Sequence, residues 1–258
     1  MTDTLLTASH VSVQRGGRTI VHDVSLTLRA NELVALVGPN GAGKTTLIKA
    51  LAGLLPARGT IAIDGRALST MPAPERARNL AYLPQGHDFS WPLPAAQIVA
   101  LGRYPHADPF SRVSQRDRDA VAHALDITGT TALADRIVTT LSGGERARVA
   151  LARVLATQAP ILLADEPTMS LDPLHQFLVM ALLRKAAQAD GAALVVVHDL
   201  ALAARYADRV VVLDHGCVVA DDTPDIALSR DRIAQVFGVE ADIVANDGLS
   251  LPLVRGPL

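Results

Sequence analysis

Cysteine, aromatic residues and long apolar runs are all scarce in this sequence, and each absence removes a class of protein. A single cysteine among 258 residues, Cys217, excludes an internal disulfide framework. It sits in the apolar run Cys217-Val218-Val219-Ala220, which predicts a buried, inert thiol. Aromatics make up only 3% of the chain, so the core that its 49% of apolar residues can build must come from Ala, Leu and Val. No apolar run reaches the ~18 residues that a membrane-spanning helix needs. The start, Met1-Thr2-Asp3, lacks the basic residues and apolar stretch of a signal peptide. The chain is therefore expected in the cytosol unless a partner holds it at a membrane. No Lys/Arg block stands out and the formal net charge is −2, which argues against nucleic acid as a partner. A chain of this length and balance suits one large α/β domain, or a domain with a sub-domain.

The most informative stretch is Gly38-Pro39-Asn40-Gly41-Ala42-Gly43-Lys44-Thr45-Thr46. Two glycines bracket four residues, and Lys44 and Thr45 follow at once, which is the spacing of a P-loop. Glycines let backbone N–H groups turn inward around an anion, and the following helix adds its N-terminal dipole. Lys44 would reach the β- and γ-phosphates, and Thr45 would offer its hydroxyl to Mg²⁺. The context agrees: Leu33 to Val37 reads as a buried strand, and Thr46 to Ala52 as a helix closed by Gly53.

Before this loop, strand-like stretches from Leu5 to Val13 and from Ile20 to Leu28 flank a turn at Gly16-Gly17. Such closely spaced strands predict an antiparallel sheet feeding into a parallel one. Thr60 to Gly65 reads as one more strand and turn. From about Leu93 to Ala134 the pattern turns helical, with Ile98, Val99 and Leu101 in one segment and Val121, Leu125 and Ile127 in another. Further on, Ile161 to Ala164 and Ala193 to Val197 are apolar runs of the parallel-sheet kind, separated by a helix from Pro173 to about Gln188. The tail after Val239 carries no nameable chemistry.

A P-loop alone does not hydrolyse anything, so the remaining polar residues matter. The strand Ile161 to Ala164 delivers Asp165 and Glu166 at its carboxyl end. Asp165 would hold the metal through water, and Glu166 would act as general base on the attacking water. Leu141-Ser142-Gly143-Gly144-Glu145 precedes a helix, Arg146 to Ala156, and offers a second capped, anion-binding helix start. Two such starts in one chain suggest that one serves a second copy. Taken alone, Gln85 in its loop reads as solvated and His198 at the end of a strand as structural.

Taken together, Gly38 to Thr46, Gln85, Leu141 to Glu145, Asp165-Glu166, Ser170-Leu171-Asp172 and His198 resemble the ordered motif set of an ABC-type ATPase. The resemblance spans nearly the whole chain. It implies a P-loop NTPase core, α/β with a mixed sheet and an antiparallel β subdomain, over residues 1–240. A helical subdomain over about 86–158 would lie between Gln85 and the Asp165-Glu166 strand, and 241–258 would form a tail of unknown role. It also implies roles. Lys44, Glu166, Gln85 and His198 would be catalytic, with His198 on the γ-phosphate and Gln85 sensing Mg²⁺ and water. Thr45, Gln85 and Asp165 would hold the metal. Ser142, Gly143, Gly144 and Glu145 would cap ATP bound by the opposite copy, and Asp172 would contact that copy. Arg15 falls where the family commonly stacks an aromatic residue on adenine, so an Arg plane would take that place.

The family sandwiches two ATP molecules between two copies, and one chain here carries both halves, so a homodimer suffices. The stretch Val99-Ala100-Leu101-Gly102-Arg103-Tyr104-Pro105-His106, with the run from His198 to Arg209, is similar to importers of ferric siderophores, haem and cobalamin. Two transmembrane permease subunits and, indirectly, a substrate-binding protein would then be partners, at the cytoplasmic face of the membrane. The alternative is a soluble ABC ATPase of translation, DNA maintenance or metallocluster assembly.

Overall fold

The structure, a computed structural model, describes residues 3–86, 89–107, 113–169, 171–188, 190–246 and 248–258. Ser170, which belongs to one of the motifs above, lies outside them.

Two long strands open the chain, β1 (Thr4–Arg15) and β2 (Arg18–Arg29), joined at the Gly16-Gly17 turn. Their buried residues recur mostly at every second position, so one face is apolar and one is wet. β3 (Glu32–Val37), α1 (Lys44–Leu51), β4 (Arg58–Ile63), β5 (Arg66–Ala67), α2 (Ala73–Asn79) and β6 (Leu80–Leu83) follow. The first sheet runs β2-β1-β4-β5, antiparallel throughout.

The helical block comes next: α3 (Ala95–Ala100), a 3₁₀ stretch over Leu101–His106, α4 (Gln115–Ile127) and α5 (Gly143–Leu155). It has a core of its own, with Ile98, Val99, Leu125, Leu141 and Val149 packed together. After it, β7 (Ile161–Asp165), α6 (Pro173–Ala187), β8 (Ala192–Val196), α7 (Leu200–Tyr206), β9 (Arg209–Asp214) and β10 (Cys217–Asp222) complete the central sheet. Its order is β10-β9-β3-β8-β7-β6, parallel except for the edge strand β10.

Every residue of β3, β7 and β8 is buried, because both faces of this sheet are covered. Leu33, Ala35 and Val37 point to one core with α6 and α7, while Val34 and Leu36 point to another with α1 and the antiparallel sheet. Fully burying a side chain such as Leu36 is worth about 1.5–3 kcal/mol. The result is a rigid slab whose parallel strands all end at one edge.

Two sequence-based expectations change, for Cys217 and for the start of α5, and the tail takes on a structure. Cys217 is exposed, not buried: it opens the edge strand β10, whose apolar run is only partly covered. The residues after Val239 form a hairpin, β11 (Val239–Asn246) and β12 (Leu249–Pro257), preceded by α8 (Pro224–Ala227) and α9 (Arg230–Phe237). Ile243 and Leu251 of this hairpin pack on the core that includes α7. Helix α5 begins at Gly143 and not at Arg146, because Ser142 and Glu145 form a capping box that draws both glycines into the first turn.

Candidate active site at the carboxyl edge of the sheet

Ligands of open α/β sheets bind beyond the carboxyl ends of the strands, and here β3, β7 and β8 all deliver polar residues there. β3 runs into the Gly38 to Thr46 loop. Gly41 and Gly43 have φ of 83° and 99°, values that L side chains adopt only under strain. Gly43 also lies against Ile20, whose carbonyl oxygen would be 3.0 Å from an added Cβ. A Cβ on Gly38 would collide with the Leu213 carbonyl. The loop can therefore be wound this tightly only with glycine at these positions.

Lys44, at the first turn of α1, is buried, and its Nζ donates to the carbonyl oxygens of Gly38 (2.7 Å) and Pro39 (2.9 Å). Burial pushes its pKa below the ordinary lysine value, and the nearby Glu166 and Asp165 charges pull it partly back. A lysine so placed loses solvation and gains from any anion in the loop. The cavity at the loop, about 240 Å³, is lined by Ile20, Asn40, Gly41, Gly43, Lys44, Thr45, Thr46 and Glu166.

β7 ends in Asp165, which is fully buried. Thr45 Oγ1 donates to its Oδ1 at 3.1 Å, and the Tyr82 hydroxyl donates to its Oδ2 at 3.2 Å. Burial raises the Asp165 pKa against the opposing pull of these two hydrogen bonds. Burial, with the adjacent Asp165 carboxylate, likewise raises that of Tyr82. A buried carboxylate facing a threonine hydroxyl beside a phosphate cradle fits a divalent cation held mainly by phosphate and water. Among the described residues there is no group of three or more His, Cys, Asp or Glu that could hold a metal by itself.

Glu166 follows with φ 51°, a left-handed backbone that aims its side chain back across the strand ends. Its carboxylate is held on both sides: Gln85 Nε2 donates to Oε2 at 2.8 Å, and His198 Nε2 lies 2.6 Å from Oε1. His198 comes from the end of β8, where Asp199 caps α7 by accepting from Ala201 and Leu202 N–H. Gln85 Nε2 also lies 3.3 Å from Met169 Sδ.

The structure thus gathers the loop, Gln85, Asp165, Glu166 and His198 at one edge. The other candidates stand apart: none of Ser142, Gly143, Gly144, Glu145, Asp172 or Arg15 lines the loop cavity. Arg15 is exposed at the end of β1. Ser142 caps α5, with its Oγ accepting from Glu145 N–H and its own N–H donating to Glu145 Oε2 at 2.8 Å. That N–H holds the Glu145 carboxyl below the usual range. Asp172 caps α6 by accepting from His175 N–H at 3.0 Å, which holds its carboxyl low too. Ile20, Tyr82, Met169 and His175 are site neighbours that the sequence reading did not single out; a tyrosine inside the strand before Gln85 was the one visible signal.

Comparison with known proteins shows the family. Residues 21–169 match the family model described as ABC transporter. The hemin import ATP-binding protein HmuV of Rhodococcus jostii is 45% identical over 255 residues, 97% of this chain and 86% of that protein. Its counterpart in Streptomyces coelicolor is 45% identical over 242 residues, 93% of this chain and 86% of that one. A dimeric ATP-binding cassette in a post-hydrolysis state with ADP and Pi superposes with a TM-score of 0.74 at 27% identity, covering 85% of this chain and 99% of the other. The chain belongs to the ABC transporter family, as an ATP-binding subunit that hydrolyses ATP.

Proposed function

We propose that this chain powers a membrane importer of haem or a similar iron chelate. The supporting observation for the chemistry is Glu166, a carboxylate held between Gln85 and His198 next to the lysine-bearing loop. Glu166 takes a proton from the attacking water, and Gln85 and His198 fix the carboxylate's direction while that happens. Lys44 turns from the Gly38 and Pro39 carbonyls to the β- and γ-phosphates of ATP, and His198 faces the γ-phosphate. Thr45, Asp165 and the amide oxygen of Gln85 would hold Mg²⁺, which when bound neutralises charge on the phosphate oxygens. Arg15 stacks on the adenine.

Residues 1–240 act as one ATPase domain with the helical subdomain at about 86–158. Ser142, Gly143, Gly144 and Glu145, with Asp172, meet the ATP of a second copy. That they stand outside their own loop cavity supports this reading, as does the dimeric relative. ATP then binds the closed pair better than the open one, so binding drives closure and hydrolysis releases it.

Two permease subunits dock on the helical subdomain, and a substrate-binding protein delivers cargo to them from outside. Exposed Leu101, Tyr104 and Val113 beside an apolar cavity of about 420 Å³ support docking there. No helix among the described residues is long and apolar enough to cross a membrane. The naming of hemin import by the relatives favours haem as cargo.

The test is to tag the chain, solubilise membranes in detergent and identify what co-purifies. A stoichiometric polytopic membrane protein, whose complex hydrolyses ATP faster with a haem-loaded binding protein, is the expected result. Ribosomes, DNA or cluster-assembly proteins in its place would retain the ATPase and overturn the importer.

A further inference from the structure

Gly143 and Gly144 are not needed for their backbone angles: neither has a positive φ, and both lie in the regular first turn of α5. Their reasons for being glycine differ. A Cβ on Gly143 would meet nothing within 4 Å, so that side of the turn is bare. A Cβ on Gly144 would sit 3.0–3.1 Å from three ring atoms of His175, its Cδ2, Cγ and Nε2. Near-equal distances to atoms around the ring mean that the imidazole lies with its face over the Gly144 backbone.

The ring is also fixed from the other side. His175 Nδ1 is 2.7 Å from Asp172 Oδ2, while Asp172 Oδ1 accepts the His175 N–H at 3.0 Å. Two bonds between residues three apart on the first turn of α6 leave the imidazole little freedom to rotate. Asp172 itself is 60% exposed and His175 only 24%. Exposed Leu174 and Gly143 flank the pair.

We propose that His175 is a positioning residue that locks the Gly143-Gly144 turn to Asp172, so that both face a second copy as one rigid edge. This rests on the reading that the two copies sandwich ATP. The inference adds the part that sets the spacing between the two contact elements. Their bodies already share a core, with Leu151 and Val154 of α5 beside Val179 and Met180 of α6, but residual motion between the two helix starts would otherwise have to be frozen at each closure, at an entropic cost. The capping box of α5 and the Asp172 cap of α6, which accepts the His175 backbone N–H, do not use the imidazole ring, so its removal leaves both helix starts intact.

The experiment uses the full chain in a Glu166→Gln background with ATP and Mg²⁺, and reads dimer formation against protein concentration by sedimentation. Adding His175→Ala is expected to raise the concentration for half-dimerisation roughly tenfold, with ATP affinity of the dilute monomer unchanged. His175→Phe keeps a ring over Gly144 and His175→Asn keeps a donor for Asp172, so each should recover part of the loss. A merely structural role would lower the melting temperature and monomer ATP affinity together, and equal dimerisation in all variants overturns the proposal outright. If Glu166→Gln alone forms no ATP-dependent dimer, the sandwich reading fails first and takes this inference with it.

Discussion

Among the described residues, the glycine-lined starts of α1 and α5 both have anion-binding potential, and they are built in opposite ways. The start of α1 is enclosed: Lys44 is buried, the glycines carry positive φ, and Ile20 and Leu213 close in from neighbouring strands. The start of α5 is open: Ser142 and Gly143 are exposed, and the turn is regular helix. An enclosed start can bind phosphate by itself, since its amides and its ammonium are already turned inward. An open one has donors but no walls, and gains strength only when another surface excludes water from it. The same local device is thus complete in one place and half a site in the other.

The largest test of this contrast is at the enclosed side. Glu166→Gln removes the proton acceptor but keeps side-chain volume, so hydrolysis should fall by about 10²–10⁴-fold while ATP binding persists. Steady-state phosphate release alongside nucleotide binding checks it; near-normal turnover would mean the chemistry lies elsewhere. Next in size is Lys44→Ala. It removes a charged donor in a desolvated loop, worth about 1.5–3 kcal/mol, so ATP affinity should drop roughly 10- to 100-fold even in dilute monomer. Undiminished affinity would make the two helix starts equivalent and dissolve the comparison.

Ser142→Ala probes the open side. Loss of the cap costs about 1 kcal/mol, a fall in melting temperature of about 2–4 °C for a chain of this size. Monomer ATP affinity should stay as it was, and the ATPase rate should fall only where copies meet. A loss of monomer affinity would place this turn in its own chain's site.

How far these features can be read from the sequence follows the range of the interactions that make them. The Gly38 to Thr46 loop is legible because its conformation is local: spacing of glycines, one lysine, one strand before and one helix after. β3, β7 and β8 are legible because burial on both faces writes them as unbroken apolar runs. Gln85 and His198 are individually ambiguous, and what unites them is one carboxylate, with Gln85 81 residues from Glu166 in sequence. Ile20 on Gly43 and His175 on Gly144 leave no local trace, and Tyr82 on Asp165 leaves only its place in the strand before Gln85, since packing of distant elements creates these contacts. Cys217 misleads because an apolar run on an edge strand has the same letters as one in the sheet centre. The terminal hairpin carries no motif, only an alternation that sets Ile243 and Leu251 against the core.

The smallest effect expected is also the one that isolates the cost of building the enclosed site. Burial raises the Asp165 pKa above its unfolded value, so the folded, nucleotide-free chain holds that proton more tightly. The stability this group contributes is fully present below the ordinary carboxylate range and is lost as pH rises through the raised folded value. Above that value the wild type carries an ionised carboxylate in a buried place, partly relieved by Thr45 and Tyr82. Asp165→Asn keeps the shape and drops the charge, and should raise the melting temperature of the nucleotide-free chain by about 2 °C at pH above that raised value. The gap should close as pH falls below about 4, where both side chains are neutral. Adding ATP and Mg²⁺ should reverse the order, because only the carboxylate gains from the cation. A gap that stays flat with pH would trace the difference to packing and not to a buried charge in the enclosed site.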